Sequence, residues 1–75
     1  MSRQGPTVEI AGVKVRNSEM RVLKLLVAGK SNKQIADQLG MNISSVGQHL
    51  REISRRLKFT NRVQIAVWAV RNGVE

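Results

Sequence analysis

The sequence predicts an all-α domain, four helices preceded by a short extended N-terminal segment. Three observations predict it. The chain has 75 residues, about the size of one small domain. From Asn17 onward its apolar residues recur at three- and four-residue steps, the period of helices that bury one face. Three of these runs are closed by glycines, Gly29, Gly40 and Gly73. A hydrophobic fraction of 41% also argues against disorder.

Taken in order, Met1–Pro6 is polar and broken by Gly5 and Pro6, and reads as a tail. Val8, Ile10, Val13 and Val15 flank Ala11-Gly12, two short β-rich runs that suggest a small hairpin or strap. Residues 1–14 are therefore assigned to the tail and extended segment, and 15–75 to the helical domain. The first helix is expected over Ser18–Ala28, capped by Asn17, with Val22, Leu23 and Leu26 as its stripe. Ser31 and Gln34 make a capping-box pattern at the start of a two-turn second helix, whose buried face is Ile35, Ala36 and Leu39. The third is expected over Ile43–Lys58, capped by Asn42, with Val46, Leu50, Ile53 and Leu57 inward. Asn61 caps the fourth, Arg62–Asn72. That helix is apolar on two sides. Val63, Ala66, Val67 and Val70 are expected against the core, and Ile65, Trp68 and Ala69 on a second face at an interface with another copy. The bland alternative is that Trp68 folds back under the Val8–Val15 strap.

Thirteen Lys and Arg stand against five Asp and Glu, a net charge of +8, which favours an anionic partner, most often nucleic acid. There is no cysteine, so disulfides, zinc-thiolate sites and redox motifs are excluded. One histidine, His49, and scattered carboxylates leave no set of converging metal ligands and no catalytic pair, so neither an enzyme, a metal, a cofactor nor a small-molecule ligand is expected. Glu52 is expected to pair with Arg55 or Arg56, one turn away. No apolar run approaches the ~20 residues of a membrane span, and the N-terminus lacks a secretory core; a cytoplasmic, nucleoid-associated protein is expected.

Only Gly40-Met41-Asn42 separates the second and third helices, the connection of a helix-turn-helix whose second helix enters the major groove of DNA. Ala36 is small where the helices must approach, Gly40 can take positive φ at the turn, and Val46 plugs the space between them. The outer face of the third helix carries Ser44, Gln48, Arg51, Arg55 and Lys58. Ser31, Asn32 and Lys33 open the second helix, whose free N–H groups and positive dipole end attract phosphate. Ser44 and Ser45 open the third and are candidates for the same role. Gln48 can bind adenine N6 and N7 together, and Arg51 can reach guanine or a phosphate. Arg55, Arg56 and Lys58 are expected on the DNA backbone or in solvent.

Val22-Leu23-Lys24-Leu25-Leu26, the run from Gly29 to Ala36, Leu39-Gly40, Ser45-Val46, His49, Leu57, Asn61-Arg62-Val63 and Ala66 form one pattern. Over about four-fifths of the chain, from Val15 on, it resembles the LuxR/GerE-type helix-turn-helix domain of bacterial transcription regulators. The resemblance implies a motif over residues 32–51, a dimer contact through the fourth helix and a non-catalytic role for His49. The chain departs from the pattern at Arg16-Asn17, where Thr-Pro is common, and at Gly47, where many members carry a DNA-contacting lysine. Gly47 either permits close approach to DNA or is incidental. The expected function is a sequence-specific, homodimeric regulator bound to double-stranded DNA through its third helix. Two alternatives stand beside it. Gly47 keeps open an interaction protein that pairs with another regulator or with RNA polymerase and blocks it without specific DNA binding. A fragment like sigma-factor region four is disfavoured by the helix that follows the motif. The chain is expected to be regulated by its own level or to be an excised effector domain.

Overall fold

A computed structural model describes residues 7–74, and the predicted tail Met1–Pro6 lies outside them. A hairpin of β1 (Thr7–Ile10) and β2 (Val13–Arg16) leads into α1 (Asn17–Val27), α2 (Asn32–Leu39), α3 (Ile43–Leu57) and α4 (Arg62–Arg71). The strands are antiparallel, with Val8 opposite Val15 and Ile10 opposite Val13. Ala11 at φ 51° and Gly12 at φ 80° make the two-residue turn, in which both central residues must be left-handed. Val15 is 1% exposed and belongs to the core, so β2 runs across the expected boundary between residues 14 and 15.

The caps explain where the helices begin. Arg16, not Asn17, is the N-cap of α1. An arginine side chain cannot accept a hydrogen bond; the carboxylate of Glu19 does the capping, accepting from the Arg16 N–H at 3.0 Å. Strand therefore passes to helix without a linker. At α2 the reciprocal capping box forms: the Gln34 N–H donates to Ser31 Oγ at 3.2 Å and the Ser31 N–H to Gln34 Oε1 at 2.9 Å. Gly40, at φ 67°, ends that helix and sets the turn into α3. Asn42 holds the N-cap position of α3 in an extended conformation, but its side chain makes no capping bond. That helix stops at Leu57 because Lys58 takes a left-handed φ of 60°. At α4 the Gln64 N–H donates to Asn61 Oδ1 at 3.0 Å, while Gln64 Oε1 accepts from the Thr60 and Asn61 N–H groups.

The core joins Val15, Val22, Leu23, Leu26, Ile35, Ala36, Val46, Leu50, Ile53, Ile65, Ala69 and Val74. Two of these overturn the expected facing of α4. Ile65 and Ala69 are 1% and 0% exposed, so they cannot sit at a dimer surface, whereas Val63, Val67 and Val70 are exposed and Trp68 is half-buried. The two sides of the helix are comparably apolar, so burial of apolar area alone does not choose between them and the shape of the surrounding core does. Ala69 is fully buried in the same core, and α4 packs against α1. Val74 folds back beneath it, its N–H donating to the Ala69 carbonyl at 2.9 Å.

Gly47 lies inside α3, and a Cβ built there would meet nothing within 4 Å. Packing therefore does not require it. Gly47→Ala should raise stability by about 1 kcal/mol, read as a shifted denaturation midpoint. Loss of DNA binding in the same variant would mean that the bare backbone is needed by the ligand; unchanged binding would make the glycine incidental.

Candidate nucleic-acid interface

The first turn of α2 presents the backbone N–H groups of Asn32 and Lys33, which have no intrahelical acceptor, beside the exposed Ser31 and Lys33 side chains. A residue thirty positions away organises this turn. Arg62, the first residue of α4, donates through Nη1 to Asn32 Oδ1 and through Nη2 to the Lys30 carbonyl at 3.0 Å. With its oxygen occupied, Asn32 has only the donors of its amide left to offer, the polarity that suits a phosphate. Sequence reasoning gave Arg62 no role at this site. Its signal was only its place directly after the Asn61 cap.

On α3, Ser44, Gln48, Arg51 and Arg55 are exposed along the outer side, with Ser45 half-buried. Val46, Leu50 and Ile53 fix the opposite side in the core, so the orientation of this polar line is set by packing. The predicted contact residues of α2 and α3 are thus all on the surface or partly so. Arg56 is not with them. Its guanidinium grips Glu19 at both oxygens, Nη1 to Oε1 at 2.8 Å and Nη2 to Oε2 at 3.0 Å, and Nη1 also donates to the Lys14 carbonyl at 3.0 Å. Glu19 is fully buried. Burial pushes its carboxyl up, but bonds from Arg56 and the Arg16 N–H, with the nearby positive charges, outweigh this and hold it below its ordinary value. The same pairing raises Arg56. The expected Glu52 pairing with Arg55 or Arg56 does not form; among the described residues Arg56–Glu19 is the one ion pair.

His49 lies beside Glu19, its Nδ1 buried without a hydrogen-bond partner. Contrary to expectation three potential ligands do converge, since Glu19, His49 and Glu52 bring side-chain atoms within 4.8 Å of one another. Both oxygens of Glu19 already accept from the Arg56 guanidinium. The outer side of α4 supplies a different surface: Val63, Val67 and Trp68 line a shallow apolar groove with Phe59 and Arg71. No helix among the described residues is long and apolar enough to cross a membrane.

Two helices joined by a three-residue turn, the second exposing a polar, basic line, define a helix-turn-helix domain of the DNA-binding kind. Residues 17–69 match the model of the luxR family of bacterial regulatory proteins, also called GerE, and the chain belongs to that family. It is 39% identical over 54 residues to the transcriptional regulatory protein LiaR of Bacillus subtilis, covering 72% of this chain and 26% of that one. The nitrate/nitrite response regulator protein NarL of Escherichia coli is 38% identical over 50 residues, 67% of this chain and 23% of its own. The transcriptional regulatory protein MctR of Rhizobium johnstonii is 30% identical over 70 residues, 93% and 33% of the two chains. The chain thus spans about a quarter to a third of the length of these relatives.

Proposed function

We propose that this domain regulates transcription by binding duplex DNA with sequence preference, as a homodimer at the nucleoid in the cytoplasm. In this reading α3 lies in the major groove, the first turn of α2 rests on a phosphate backbone, and α4 meets its copy. The observation that carries it is the exposed line of Gln48, Arg51 and Arg55 on α3 beside an α2 N-terminus that Arg62 holds in place. Gln48 and Arg51 read base edges; Ser31, Asn32, Lys33, Ser44 and Arg55 hold phosphate. The exposed Val63, Val67 and Val70, with the half-exposed Trp68, form the dimer face. A two-fold axis sets each face against its copy and places two α3 helices on half-sites about one turn of DNA apart.

Lys33 and Gln48 test this assignment as a pair. Lys33→Ala should weaken binding to every duplex alike and flatten the slope of log K against log salt by about one unit. Gln48→Ala should cost ~1–3 kcal/mol, about 5–150-fold, on the preferred site and little on random DNA. Titrations of both duplexes over a salt series measure both effects. Equal losses for Gln48→Ala on the two duplexes would move it to the backbone class, and a changed sequence preference for Lys33→Ala would remove it from that class.

A further inference from the structure

We propose that the N-terminal hairpin is a second phosphate-binding surface, in which Lys14 and Arg16 of β2 join Arg55 of α3 on the DNA backbone that passes the C-terminal half of that helix. The proposal rests on the reading that α3 enters the major groove. It concerns residues 14 and 16, which precede the residues 17–69 that match the family model.

Strand alternation supplies the first argument. Val15 is buried and Val13 half-buried, so Lys14 and Arg16 point outward on one face, about 7 Å apart at the usual rise per residue. One DNA strand carries a charge every ~3.4 Å along the axis, so two long side chains at that separation can meet phosphates of a single strand. Position supplies the second. Arg55 lies on the same line of α3 as Gln48, and Arg56, one residue on, turns about 100° round the helix to reach the hairpin. The hairpin therefore borders the DNA-facing side of α3. Arg16, Glu52, Arg55 and Arg56 line one shallow cleft there, and Thr7, Lys14, Arg16 and Arg56 line the next, so the two share Arg16 and Arg56 and form one strip. A helix with its side chains is about 10–12 Å across and the major groove about 12 Å wide, so a helix seated there brings its flanking elements onto the groove walls.

Charge supplies the third argument. Arg56 is committed to Glu19, but Lys14, Arg16 and Arg55 form no ion pair among the described residues. Two carboxylates oppose them, Glu52 in the cleft and Glu9 across the ladder from Lys14. Neither is paired with the cations, so a phosphate would compete with no existing bridge.

The structural hydrogen bonds at both positions belong to the backbone, and the Arg16 side chain adds only the smallest of the charge effects on Glu19. The Lys14 carbonyl accepts from Arg56 and the Arg16 N–H donates to Glu19, and truncating either side chain leaves these bonds in place. The experiment compares wild type, the double variant Lys14→Ala/Arg16→Ala and Glu52→Gln on a fixed duplex over a salt series, with thermal melts of each protein. The double variant should keep its melting temperature, lose affinity equally on preferred and random duplexes, and show a salt slope shallower by about two units. Glu52→Gln should bind more tightly at low salt. An unchanged slope in the double variant, with wild type still binding steeply, would overturn the hairpin proposal and leave α3 in the groove. A wild-type protein that binds no duplex would overturn both.

Discussion

Arg56→Ala should cost the domain about 3–5 kcal/mol at neutral pH, because it leaves the fully buried Glu19 carboxylate without its guanidinium. A domain of 75 residues has a total stability of roughly 4–11 kcal/mol, so much of it would go. The pH dependence identifies the cause. In the wild type the folded-state pKa of Glu19 is depressed below its ordinary 4.5. Its contribution is therefore fully present above that value and is lost as the pH falls through the depressed one. In the variant burial dominates and raises the carboxyl, so acidification protonates it in the folded state and restores stability. The gap should narrow first as the variant recovers on acidification from neutral pH, and should close further below about 4.5, where the wild type loses its own contribution. Chemical denaturation at several pH values measures the gap. A gap that stays constant would assign the loss to packing around the arginine stem.

Val67→Glu should leave the domain folded yet weaken binding to paired half-sites by about 10²-fold or more, the avidity that two linked contacts supply. The charge enters the exposed side of α4, where substitutions away from the core change stability by only about 0.5 kcal/mol. Ile65→Lys makes the contrast. Ile65 is 1% exposed, and a lysine there should unfold the protein and so say nothing about the dimer. Sedimentation of both variants, alone and with a duplex carrying paired half-sites, separates the two outcomes. If Val67→Glu still loads two copies as tightly as wild type, the outer face of α4 is not the dimer contact.

What could be read from the sequence was what short-range chemistry decides. The capping box at Ser31–Gln34 and the cap at Asn61 need only neighbouring residues, and both form. The hairpin turn at Ala11-Gly12 and the break at Gly40 are equally local. On α3 one side is plainly apolar and the other plainly polar, so the outward placement of Gln48, Arg51 and Arg55 followed from spacing. Helix α4 offered no such contrast. Valines on one side and Ile65, Trp68 and Ala69 on the other are comparably apolar, and only the shape of the surrounding core chooses between them. Long-range pairing was equally hidden: Glu19 and Arg56 are 37 residues apart, Asn32 and Arg62 are 30 apart, and each arginine had nearer carboxylates or solvent to satisfy it on paper.

The central claim is that α3 reads duplex DNA in a dimer. Selection of bound duplexes from a random pool by the purified chain, followed by sequencing, tests it most directly. The account predicts enrichment of a two-fold symmetric site whose half-sites are centred about 10 base pairs apart, with the enrichment lost in Gln48→Ala. A pool that retains no common sequence at a salt concentration where the protein still binds would contradict it, and would favour a protein that acts by pairing with another regulator or with RNA polymerase.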